Sequence, residues 1–195
     1  MEKPLFEFRA FAQNFGLVEE KIRKLFKLNE ISEGEEYYII SEFTNQDNVK
    51  IRDRRLEIKK LITEEKRFEQ WEPGLNSQFP VVTKNIALEL NESLGFEIDF
   101  KAEKYDIEKL LEIFNFNLQT RTAKVFKRRF KFETHDCFAE LADVYINGAL
   151  VKSVSLESSN VDTAVDHLKK LRLNDYENVN YILEIKRVLG MEPLP

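Results

Sequence analysis

Charged residues recur at every second position along several stretches of the chain, with apolar residues in the gaps. The stretches are Glu7-x-Arg9, Lys50-x-Arg52, Glu57-x-Lys59 and Lys127-x-Arg129-x-Lys131, with Glu140 and Glu157 in similar settings. Residues i and i+2 of a β-strand share a face. Each stretch therefore has a charged face and an apolar one. The apolar faces carry Phe6 and Phe8, Val49 and Ile51, Leu56 and Ile58, Ala139 and Leu141, and Val154 and Leu156. The functional reading turns on whether the charged faces meet water or turn inward on a polyanion.

The same patterning predicts the other elements. Lys3 to Phe11 reads as the first strand, and Val18 to Phe26 has helical spacing (Val18, Ile22, Leu25, Phe26). Glu36 to Phe43 is β-rich, Asn45 to Asn48 is turn-like, and Val49 to Ile51 resumes a strand. Asp53, Arg54 and Arg55 form a polar turn before Leu56 to Ile62, which makes a hairpin. Pro73-Gly74 and Pro80 punctuate a loop. Thr83 to Leu94 is a helix with Gly95 as its C-cap, and Asp106 caps a second helix running to Phe114. Strands resume at Ala123 to Phe132, His135 to Tyr145 and Leu150 to Ser158, with Asn147-Gly148 as a hairpin turn. Asp162 to Leu171 is a helix, and Tyr181 to Val188 fits either a strand or a helix. Short turns between strands imply an α+β fold with a mainly antiparallel sheet.

Composition narrows the classes. A chain of 195 residues with 43% hydrophobic and 33% charged residues suits a single folded domain over 1–195. It has no apolar run near the ~20 residues of a membrane helix and no cleavable apolar leader. A single cysteine, Cys137, excludes an internal disulfide framework and fits a reducing cytoplasm. A formal net charge of −5 argues against a nucleic-acid partner. It leaves room for a local basic pocket.

The ordered set of elements resembles the CYTH superfamily, the triphosphate tunnel metalloenzymes. Where that family opens on Glu-x-Glu-x-Lys, this chain has Leu5, Glu7 and Arg9 in LFEFR. The family's basic hairpin corresponds to VKIRDRRLEIKKL, giving Lys50, Arg52 and Lys59. Its second half corresponds to DIEKLLEIFNF, KVFKRRFKF, CFAELADV, the NG turn and VSLES, so that the likeness runs from Lys3 to Lys186. The resemblance implies an eight-stranded antiparallel barrel with a charge-lined bore and helices outside.

The resemblance further implies a small-molecule polyphosphate or nucleotide ligand. Arg9, Lys50, Arg52, Lys59, Lys127, Arg129 and Lys186 would hold phosphate, and Glu7, Glu140 and Glu157 would hold Mg²⁺ or Mn²⁺ or orient water. The chemistry suits such a bore. Lys and Arg grip phosphate oxygens by charge-assisted hydrogen bonds. Interleaved carboxylates relieve repulsion between the cations and can bind a bridging metal. Three positions depart from the pattern: Leu5, Ala142 and Ser155 stand where the family has acids. The expected activity is hydrolysis of inorganic triphosphate, a nucleotide or thiamine triphosphate, with cyclisation as a variant. A binding tunnel without turnover is the alternative, and the departures favour it. Substrate selectivity would come from mouth loops at Glu64 to Pro80 and Thr44 to Asn48.

A third reading makes the charged faces the solvated side of an ordinary sheet, with cross-strand pairs worth ~0.2–1 kcal/mol each. The amphipathic helices weigh against it, because they need apolar sheet surface to cover. Other residues offer less. His135 and His167 lack the spacing of a zinc site, Cys137 reads as a core thiol, and Trp71 anchors a loop or closes a mouth. The Lys127-Arg128-Arg129 run is weak evidence for RNA, since in a strand Arg128 faces away from its neighbours and the chain is acidic overall. The isolated glycines form no phosphate loop.

Overall fold

A computed structural model describes residues 4–192. The chain runs β1 (Phe6–Ala12), α1 (Leu17–Leu25), β2 (Lys27–Ser41), β3 (Asp47–Arg52), β4 (Arg55–Glu65), β5 (Phe68–Gln78), β6 (Val81–Val82), α2 (Thr83–Leu94), β7 (Lys104–Tyr105), α3 (Ile107–Phe116), β8 (Thr120–Glu133), β9 (Phe138–Ile146), β10 (Ala149–Ser158), α4 (Val161–Leu171) and α5 (Tyr181–Val188). Eight strands close into a barrel in the order β1-β10-β9-β8-β2-β3-β4-β5, and β6 pairs with β7 apart from it. The α+β barrel is the expected fold. Lys3, where the first strand was expected to start, lies outside the described residues.

By contacts the chain forms two units. The first comprises residues 1–34, 62–71 and 126–180. Its core joins Phe8, Ala10, Ala139, Leu141, Val154 and Leu156 of β1, β9 and β10 to Val18 and Ile22 of α1 and Ala164, Leu168 and Leu171 of α4. These are the apolar alternates of the strand pattern. Cys137 is buried in this core, and its thiol is pushed up to about 12, chiefly by burial. Asn160 caps α4 by accepting from Asp162 N and Thr163 N.

The second unit comprises residues 35–61, 72–125 and 181–195. Ile39, Val49, Ile51, Leu56 and Ile58 pack on Ile86, Leu90 and Leu94 of α2 and Leu110 and Phe114 of α3. Asp106 caps α3 through Lys109 N, and Gly95 ends α2 at a φ of 77° that an L side chain resists. In both units, helices cover the apolar strand face and leave the charged face as the inner side of the closed sheet.

Two expectations change and one open alternative is decided. The Pro73-Gly74 loop is the interior of strand β5, so that Glu64 to Pro80 is largely strand and no mouth loop. The described pairing of β5 with β1 covers Phe6↔Gln70 and Glu7↔Glu69, and Pro73 lies beyond it, where a missing N–H is tolerated. A Cβ at Gly74 would stand 2.5 Å from Glu89 Oε1, so that Glu89 would have to move and give up the bond it accepts from Leu75 N at 2.8 Å. The strand before Tyr37 begins at Lys27, because its polar first half is exposed and has no apolar face to betray it. Tyr181–Val188 is a helix, with Tyr181, Ile182 and Ile185 buried.

Candidate functional site

In the second unit the charged face is built by register. Antiparallel pairing sets Glu36 opposite Arg52 and Lys50 opposite Glu57. Alternation then places all four on the side turned from α2 and α3. Lys50 is 5% exposed and Glu36 is fully buried. Lys50 Nζ lies 3.4 Å from Glu36 Oε2 and 3.8 Å from Glu57 Oε2. Arg52 is held at 2.9 Å by Glu57 and reaches Glu36 at 3.9 Å. Burial pushes the Lys50 ammonium below its ordinary value, an effect opposed by the charge of Glu36. The ammonium also stands 5.9 Å from the Tyr38 ring centroid. Lys59, next on the same face of β4, is exposed.

Lys186 stands apart from these strands, on α5. It is buried, its Nζ donates to the Thr44 carbonyl at 3.1 Å, and it lines a cavity with Glu42, Arg121 and Glu192. Burial pushes its ammonium down as well.

In the first unit Arg9 is the hub. Its guanidinium holds Glu7 Oε1 at 2.8 Å, Ser153 Oγ at 3.0 Å and Glu140 Oε1 at 3.3 Å. Arg129 approaches Glu140 Oε2 at 3.9 Å, and Lys127 is buried two residues earlier on the same face. Arg128 points the opposite way and pairs with Glu33, as the alternation requires. Glutamates also stand in register across three strands, with Glu69 opposite Glu7 and Glu7 opposite Glu157. Burial first, and then the Glu7 charge, pushes the Glu69 carboxyl up, while Asn180 and Trp71 donate to it. Trp71 is therefore a strand residue serving Glu69.

A cavity of about 440 Å³ opens beside this row. Glu140, Glu157, Ser155, Leu5, Lys131 and Phe138 contribute to its wall. Glu140 and Glu157 thus share one cavity, whereas Glu7 is turned to Arg9.

No family model and no curated protein matches the chain. Solved structures do, over nearly its whole length. The PH1012 protein from Pyrococcus horikoshii OT3 is 19% identical, with 91% of this chain and 97% of that one covered at a TM-score of 0.51. A conserved hypothetical protein, Pfu-838710-001 from Pyrococcus furiosus, is 13% identical, with 91% and 98% covered at 0.53. HpAC1 from Hippeastrum, described as an adenylyl cyclase candidate with a dominant triphosphatase activity, is 10% identical, with 98% of both chains covered at 0.55. These likenesses show the fold: a closed eight-stranded antiparallel barrel.

Within this barrel the three departures have definite places. Leu5 and Ser155 line the cavity between the acids, and Ala142 is buried opposite Ser153 on β9 and β10. Among the described residues no three His, Cys, Asp or Glu side chains are grouped to hold a metal ion. Glu140 and Glu157 are hard oxygen donors on one cavity. They fit a divalent cation that takes its other ligands from water and phosphate.

Sequence reasoning missed Glu36 and Glu69. Glu36 lay two residues before Tyr38 on the inner face, a signal available from alternation alone. Glu69 was hidden in the supposed loop. Among the described residues no helix is long and apolar enough to cross a membrane.

Proposed function

We propose that the chain binds a small molecule carrying a triphosphate on the charged inner face of its barrel. Inorganic triphosphate, a nucleotide and thiamine triphosphate are all of this class. Lys50, Arg52 and Lys59 hold phosphate in the second unit, and Arg9, Lys127 and Arg129 do so in the first. The observation that carries the reading is Lys50, a cation kept buried against its own preference for water. Its contacts of 3.4 and 3.8 Å are longer than the ~2.7–2.9 Å of a good charge-assisted bond. Its three donors can therefore turn to phosphate oxygens, and the added negative charge would offset the desolvation of the ammonium. A cytoplasmic setting belongs to this reading, since nucleotides abound there and the sole cysteine is a buried thiol.

Hydrolysis is the second reading, favoured by Glu140 and Glu157 on one cavity and by the activity described for HpAC1. Mg²⁺ or Mn²⁺ arriving with the ligand would neutralise charge on the phosphoryl oxygens. The chain's part is to orient phosphate through its cations and to place water near Glu140 or Glu157.

A thermal-shift series with tripolyphosphate, run beside a phosphate-release screen with Mg²⁺ and Mn²⁺, tests both. Ligand at about a hundred times its dissociation constant should stabilise the fold by ~2.7 kcal/mol. Stabilisation without phosphate release selects binding, and release selects hydrolysis. An unmoved melting curve at millimolar tripolyphosphate would remove both.

A further inference from the structure

We infer that α1 and the end of α4 form a docking surface for an anionic lipid bilayer, on grounds separate from the triphosphate reading. The two helices bury Val18 and Ile22, and Ala164, Leu168 and Leu171, in the core of the first unit. They lie side by side and run in opposite directions: Lys21 Nζ donates to the Lys170 carbonyl at 2.7 Å, and the Phe26 ring stands 5.2 Å from that of His167. This contact brings Lys21 and Lys24 of α1 beside Lys169, Lys170 and Arg172 at the end of α4. Lys24, Lys169, Lys170 and Arg172 are exposed, and among the described residues their side chains hold no ion pair or hydrogen bond. Of the acids on these helices, Glu19 is held by Lys152 and Asp162 by Lys66. That leaves Glu20 and Asp166 against five cations.

The apolar part of the surface comes from α1. Helical spacing puts Leu17, Lys21 and Lys24 on one face, with Leu25 between that face and the buried Val18 and Ile22. Leu17 is 59% exposed and Leu25 is 52% exposed. Leucines among cations suit the headgroup boundary of a bilayer. The leucines enter its acyl edge, and the lysines and the arginine meet lipid phosphates and carboxylates. The whole chain carries a formal net charge of −5, so an anionic membrane repels the rest of its surface and turns this face inward. A soluble anion would engage the cations and leave the leucines in water.

The test is flotation of the full chain with vesicles of phosphatidylcholine alone and with vesicles that carry about a third phosphatidylserine. The protein should float with the anionic vesicles, bind the neutral ones at least ~10-fold more weakly, and come off as salt screens the charges. Lys24→Gln combined with Lys170→Gln removes two surface cations. It should weaken binding by ~10-fold or more, with the melting curve and the tripolyphosphate response as in the wild type. Leu25→Ser should weaken binding by ~5-fold at unchanged charge. Equal binding to the two kinds of vesicle, binding to neither, or unchanged binding in the double variant would overturn the inference. Capture by soluble polyglutamate as tight as by anionic vesicles, with no effect of Leu25→Ser, would also overturn it and reassign the surface to an acidic protein segment.

Discussion

The charge clusters of the two units are made by one device and end in different arrangements. In both, alternating strands lay apolar residues under helices and put charged residues on the other side. In the second unit the result is a cation buried beside a fully buried carboxylate, Lys50 against Glu36. In the first it is a row of carboxylates, Glu69, Glu7 and Glu157, beside an open cavity, with Arg9 bound to one of them. The same alternation thus sets a cation against a buried carboxylate in one unit and lines up facing carboxylates beside Arg9 in the other. Register decides which, because register sets which charges become neighbours.

The largest consequence concerns the carboxylates. Glu36→Gln removes the partner of a buried ammonium and should cost about 3–5 kcal/mol of unfolding free energy in urea melts. Glu7→Gln in the other unit breaks a pair whose acid is 23% exposed, and its cost should be ~1 kcal/mol or less. Equal costs would erase the contrast. The double change Glu36→Leu with Lys50→Met should recover most of the stability lost, since apolar groups can replace a buried pair.

The pH dependence of the two clusters runs in opposite directions. Lys50 is pushed below its ordinary 10.5, so the folded state gives up that proton first. Its destabilising effect is fully present below the lowered value and fades as pH climbs to 10.5. Lys50→Met should abolish this alkaline gain in stability. Glu69 is pushed above its ordinary 4.5, so stability falls as pH rises from 4.5 through the raised folded value. Glu69→Gln should flatten that fall. Difference curves of melting temperature against pH, variant minus wild type, read both signs.

A smaller contrast lies in two turns. Asp53 and Arg54 join β3 to β4, and Lys66 and Arg67 join β4 to β5, all with positive φ. Arg54→Gly relieves a left-handed backbone and should stabilise by ~0.5–1 kcal/mol. Arg67→Gly relieves the same strain but loses the bonds of Arg67 to the Asn174 and Tyr176 carbonyls and its place over the Phe8 ring. It should therefore destabilise. Chemical denaturation of the two variants sharpens how far local contacts outweigh turn strain.

These turns also show what the sequence made legible. Asn147-Gly148 announced its hairpin, because both residues accept positive φ readily, whereas Lys66-Arg67 carried no such mark. The helix Thr83–Leu94 was readable to its ends from Ile86, Leu90, Leu94 and the Gly95 cap. The polar stretch Lys27–Gly34 was not, since it buries no apolar face. Of the site, the alternation revealed that Lys50 and Arg52 share a face, as do Lys127 and Arg129, and the helices weighed for that face being the inner one. It did not reveal that Glu36 would meet Lys50 or that Glu69 would join Glu7. Those neighbours depend on pairing between strands, and β5 reads as a loop through Pro73 and Gly74.

The claim that the charged inner face holds triphosphate is tested most directly by calorimetric titration of tripolyphosphate into wild type and Lys50→Met. Wild type should bind, and the variant, with the buried cation gone, should lose at least ~10-fold in affinity, the scale of one charge-assisted bond. Equal affinities in the two proteins, or no heat in either, would contradict it.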